Sequence, residues 1–110
     1  MKLLIAGSRS IKNFGIDRFI PPETTLILSG GAVGIDTIAE NYADRMRISK
    51  IILRPDYKTY GRSAPLKRNE VLVGMCDKVL VFWDGVSRGT KYTIDYAKKT
   101  GKSVEIIMVE

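Results

Sequence analysis

The chain has 110 residues, 45% hydrophobic and 27% charged, with a net charge of +6, a balance that fits one globular domain and argues against disorder. Histidine is absent, which excludes a Ser-His-Asp triad and removes the commonest zinc ligand, so any chemistry falls to carboxylates, Ser, Tyr, Lys or Arg. A single cysteine, Cys76, excludes an internal disulfide and suits a reducing, cytoplasmic setting.

The first apolar run, Lys2–Ala6, is too short for a signal peptide and meets Arg9 at once. It is followed by four more: Thr25–Leu28, Lys50–Leu53, Lys78–Phe82 and Ser103–Met108. Each run is continuous rather than alternating, as in strands buried on both faces of a parallel sheet. None approaches the length of a membrane span. Helical patterns lie between them. A short one is expected around residues 15–20, closed by Pro21 and Pro22. Ile35, Ile38, Ala39, Tyr42 and Met46 share one helix face, and Ala39 and Ala43 are small enough to bring that helix close to a sheet. Residues 64–76 form the next helix, with Ser63 as N-cap and Pro65 in the first turn. Residues 90–100 form the last, ending in Lys98, Lys99 and the stop residue Gly101. Alternation of this kind predicts a three-layer, Rossmann-like α/β fold spanning residues 1–110, with five parallel strands. Strand order 3-2-1-4-5 is preferred to the flavodoxin-like 2-1-3-4-5.

In such a sheet, ligands bind beyond the carboxyl ends of the strands where the order reverses, here between strands 1 and 4. The loop after strand 1 holds Gly7, Ser8 and Arg9. The loop after strand 4 holds Asp84, Gly85, Ser87, Arg88, Gly89 and Thr90, and the neighbouring loop after strand 2 holds Ser29, Gly30, Gly31 and Gly34. Six of the ten glycines lie in these three loops. Glycine lets backbone amides approach an anion, and a helix N-terminus adds partial positive charge. Arg9 and Arg88 add full charge, so the expected ligand is anionic.

Other motifs carry less. Gly101-Lys102-Ser103 resembles the end of a P-loop, but Tyr96 stands where a glycine is needed and a strand follows. Asp36 and Glu40, one helical turn apart, read as solvent-facing or as partners of a helix dipole, with catalysis as the lesser alternative. Asp84 is either a cap for the following turn or a carboxylate for chemistry. Trp83 reads as core or as a pocket wall. Residues 44–68 hold eight basic and two acidic residues, a local excess equal to the charge of the whole chain. With Tyr57 and Tyr60 among them, that stretch could hold single-stranded nucleic acid, or it could be a solvated face.

Taken together, Gly7-Ser8-Arg9, the run Ser29–Ala39, Ala64–Asn69 and Asp84–Thr90 resemble the SLOG superfamily, which unites DNA-processing protein A domains and LONELY GUY-type nucleotide hydrolases. The resemblance covers nearly the whole chain and is nearest the small stand-alone members. It implies a Rossmann-like fold that binds nucleotides or their derivatives, with Arg68 and Asn69 facing the ligand. It also implies association of copies into a homo-oligomer. Gly85, Gly89 and Thr90 match the phosphate-binding turn of these proteins in part. Where the hydrolases carry a catalytic Glu this chain has Thr93, and the nearest acid, Asp95, lies on another helix face.

Three functions are therefore expected, in this order. The first is a sensor or carrier module for a nucleotide-type small molecule, without a cofactor, a metal or a membrane partner. The second is a nucleotide N-glycosidic hydrolase with Asp84 as its carboxylate. The third is a single-stranded nucleic-acid binder using residues 44–68.

Overall fold

A computed structural model describes residues 1–110. Five strands, β1 (Lys2–Gly7), β2 (Leu26–Ser29), β3 (Ser49–Ile52), β4 (Lys78–Trp83) and β5 (Ser103–Met108), form one sheet. The sheet is wholly parallel with order β3-β2-β1-β4-β5, the predicted order. Helices α1 (Ile35–Arg45), α2 (Tyr57–Tyr60), α3 (Ala64–Met75) and α4 (Arg88–Lys99) supply the connections. None is long and apolar enough to cross a membrane.

The continuous apolar runs work because both sheet faces are covered. Leu3, Ile5, Ile27, Leu80 and Phe82 point to one face, where Ile35, Ala39, Tyr42 and Ala43 of α1 pack on them. Leu4, Leu28, Val79 and Val81 point to the other and meet Leu72 and Val73 of α3 and Ile94 and Ala97 of α4. Alternate residues of each strand thus serve separate half-cores.

Three local expectations are corrected. The helix around 15–20 is a single 3-10 turn, Asp17–Phe19, because Pro21 and Pro22 leave no room to propagate it. The β1–β2 crossover instead buries Ile11 and Ile16 on the α1 face, beside Phe14 and Phe19, which pack on Phe82 with ring centroids 5.7 and 5.6 Å away. Ser63 precedes α3 but does not cap it, since its hydroxyl donates back to the Tyr60 carbonyl at 2.8 Å. Helix α2 stands where the sequence pattern suggests only loop. It forms because Asp56 caps it, accepting from the Thr59 amide at 3.1 Å.

Candidate ligand cleft at the strand-order reversal

A cleft of about 380 Å³ opens on the α3 and α4 side of the sheet, beside the end of β1. That volume sits at the small end of the usual range for ligand sites, ~300–1,000 Å³. Its floor is apolar: Leu4 of β1, with Leu66 and Leu72 of α3. Its rim is polar and comes from four chain segments, namely Arg9 and Ser10, then Gly30, Ala32 and Asp36, then Arg68 and Asn69, then Ser87, Gly89, Thr90 and Thr93.

Two features leave the rim with unpaired hydrogen-bond donors. The first backbone bond of α4 runs from the Lys91 amide to the Ser87 carbonyl, 3.1 Å. The amides of Arg88, Gly89 and Thr90 therefore have no carbonyl partner, and two of those residues border the cleft. The second is Arg68, only 8% exposed. Its Nη1 donates to the carbonyls of Gly30 and Leu53, and its Nε donates to Asn69 Oδ1 at 2.7 Å. Nη2 bonds to nothing in the protein. Such a guanidinium is already held in place, with one fork left for a ligand.

A relay fixes this geometry. Asn69 Nδ2 donates to Thr93 Oγ1 at 2.9 Å, and the Thr93 hydroxyl donates to the Gly89 carbonyl at 3.2 Å. Thr93 is thus a buried threonine that ties α3 to the start of α4. Gly30 is required where Arg68 crosses it, because an added Cβ would lie 2.6 Å from Nη1. Gly34 has φ +82°, and a Cβ there would lie 2.6 Å from the Ser8 carbonyl. It lets the loops after β1 and β2 touch.

The predicted site residues divide into two groups. Gly7, Arg9, Gly30, Arg68, Asn69, Ser87, Gly89 and Thr90 border the cleft; Ser8, Ser29, Gly31, Gly34, Asp84, Gly85 and Arg88 do not. Most of the second group holds the loops in shape. The buried Ser8 hydroxyl accepts from the Asp84 amide at 3.0 Å, and the Ser29 hydroxyl donates to Glu40 at 2.6 Å. Asp84 accepts from the amides of Val86 and Ser87 and from the hydroxyls of Ser10 and Ser87, all at 2.8–2.9 Å. These donors hold its carboxyl well below the usual carboxylate range, with the two amides contributing most. It acts as the clasp between the loops after β1 and β4. Trp83 props the same loop, its indole donating to the Ser87 carbonyl at 3.1 Å.

The solvent-facing expectation for Asp36 is overturned. It is 7% exposed and lies on the cleft wall, because the glycine-bearing turn before α1 folds back over its side chain and gives it the Ala32 amide at 3.1 Å. Burial pushes its carboxyl up to about 6, against the opposing pull of that amide and of Arg68. Sequence reasoning also missed the apolar floor. Leu66 and Leu72 are six residues apart on α3, a spacing that no simple amphipathic pattern flags.

The basic stretch is partly consumed internally. Arg45 pairs with Asp17 and Lys50 with Asp44, Arg54 donates to the Gly31 carbonyl, and Arg68 is buried in the cleft wall.

No protein-family model matches the chain, and no solved structure matches it. Gene 61 protein of Mycobacterium phage D29 is 30% identical to it over 113 aligned residues, covering 91% of this chain and 90% of that protein. The chain belongs to the Gene 61 protein family.

Proposed function

We propose that the protein binds a nucleotide or nucleotide-derived ligand in the cleft beside β1, as a sensor or carrier module of the SLOG type. One observation carries this reading: a buried, pre-set Arg68 with an unused Nη2 faces the same cleft as the unpartnered amides at the start of α4. Together with Arg9 they form a seat for a phosphoryl group. The apolar floor of Leu4, Leu66 and Leu72 accepts a flat base or the ribose carbon face.

Asp84, the expected carboxylate of a hydrolase, is clasped by four donors away from the cleft, and Thr93 spends its hydroxyl on the relay. Both observations favour binding over N-glycosidic hydrolysis. Partial consumption of the basic stretch likewise favours a small ligand over single-stranded nucleic acid.

A thermal-shift panel of AMP, ADP-ribose, pyrophosphate and a short oligonucleotide tests this reading. A ligand at 100 times its Kd adds about 2.7 kcal/mol, which raises the melting temperature of a domain this size by at least about 4 °C. AMP or ADP-ribose is expected to do so, with the shift lost in Arg68→Ala. No shift with any phosphate compound refutes the reading. A shift with the oligonucleotide alone that vanishes as salt rises would move the function to the basic stretch.

A further inference from the structure

Nucleotide binding, on which this inference rests, does not yet employ one residue of the cleft wall, Asp36. It lies in the first turn of α1, buried against the cleft. It is an acid with no cation in contact, since none of the ion pairs of the chain includes it. Arg68 sits beside it over Gly30, where an added Cβ would lie 2.6 Å from Arg68 Nη1 and 3.0 Å from Asp36 Oδ2. Yet Nη1 and Nε of that guanidinium are spent on carbonyls and Asn69.

The other charged groups around the carboxyl are few. Glu40, one turn along α1, adds a like charge and accepts from Ser29. Arg9 reaches the cleft from the loop after β1, and Arg54, beyond β3, is held on the Gly31 carbonyl. From α4 the cleft receives Thr90 and Thr93, neither of which titrates.

A phosphoryl group seated on Arg9, Arg68 Nη2 and the α4 amides brings negative charge against this carboxyl. Two anions at hydrogen-bond distance repel, and one of them takes a proton instead. A carboxylic acid in that place becomes a donor to a phosphate oxygen, a charge-assisted bond. We infer that the cleft takes up its phosphoryl-bearing ligand together with one proton, carried by Asp36, which donates a hydrogen bond to a phosphate oxygen. The proton comes from solvent and returns to it when the ligand leaves. The Ala32 amide keeps Oδ2 as its acceptor, so the proton resides on Oδ1. Burial has already brought the carboxyl to about 6, and a modest further rise makes it an acid at neutral pH.

Calorimetric titration of AMP into the wild-type protein and Asp36→Asn, each in two buffers of different ionisation heat, tests this. The ligand's own proton is common to both proteins and cancels. With a midpoint moving by about 1 unit, the wild type is expected to take up about half a proton more than the variant at pH 6.5, and its affinity to rise close to tenfold further than the variant's between pH 8 and pH 5.5. The carbon-13 shift of the Asp36 carboxyl in the unmutated protein gives an independent reading, its midpoint rising by about 1 unit with AMP bound. Equal uptake in both proteins with an unmoved midpoint, or proton release on binding, overturns the inference and leaves nucleotide binding intact. If AMP, ADP-ribose and pyrophosphate all fail to bind, the parent reading falls and this inference falls with it.

Discussion

Asp36, on the cleft wall, and Asp84, in the clasp between the loops after β1 and β4, are two aspartates whose surroundings push them in opposite directions. For Asp36, desolvation dominates, and the folded chain holds the proton more tightly than the unfolded chain does. Its contribution to stability is therefore full below about pH 4 and is lost as pH rises through about 6. The rise to about 6 corresponds to roughly 3 kcal/mol. Urea denaturation of the wild type should show stability falling by an amount of that order across this window, and Asp36→Asn should flatten the slope. Asp84 has the reverse sign: its hydrogen bonds favour the charged form, so its contribution is present above about pH 4 and fades in more acid solution. Asp84→Ala frees the loops after β1 and β4 from each other. It should weaken AMP binding in calorimetry even though the residue does not border the cleft.

At the scale of elements, α3 and α4 meet through the Asn69–Thr93 contact rather than through packing alone. Thr93→Val keeps the volume but leaves the Asn69 amide without its acceptor, at a cost of about 1–2 kcal/mol. The expected result is a lower denaturation midpoint together with weaker ligand binding, because the start of α4 loses its tie. Arg68→Lys keeps the charge but cannot reach two carbonyls and Asn69 at once; calorimetry should show at least about a tenfold loss of affinity, equivalent to ~1.4 kcal/mol. The strands, their order and three helices were legible in the sequence because buried parallel strands leave unbroken apolar runs and glycine punctuates their ends. The β1–β2 crossover was not, since Phe14 and Phe19 fill the helix position from a loop and a single 3-10 turn, held by ring contacts with each other and with Phe82. Half of the site was legible for a related reason. Clustered glycine and arginine types point to the strand-end loops around the cleft, but the sequence does not tell which loop residues face the cleft and which brace it. Ser8 and Ser29 have the same chemistry as Ser87, yet both point into the protein.

For the molecule as a whole, the sheet separates two half-cores that share the same strands. A defect on one face therefore reaches the other through strand register. Phe82 is the largest fully buried side chain and lies on the face opposite the cleft. Phe82→Ala should cost about 3–5 kcal/mol. Guanidinium unfolding should remain a single transition at lower denaturant, and fluorescence of Trp83, the adjacent residue, should report the same midpoint as circular dichroism. Two separate transitions would mean that the half-cores melt independently. The chain of bonds from Gly30 through Arg68, Asn69 and Thr93 to Gly89 also bears on the kinetics of ligand capture. Both walls of the cleft are fastened to one another before anything binds, so no hinge is left to swing and no lid to shut. Capture should then be a one-step encounter. In stopped-flow mixing, the observed rate should climb linearly with AMP concentration in a single phase, without the plateau that a closing step imposes.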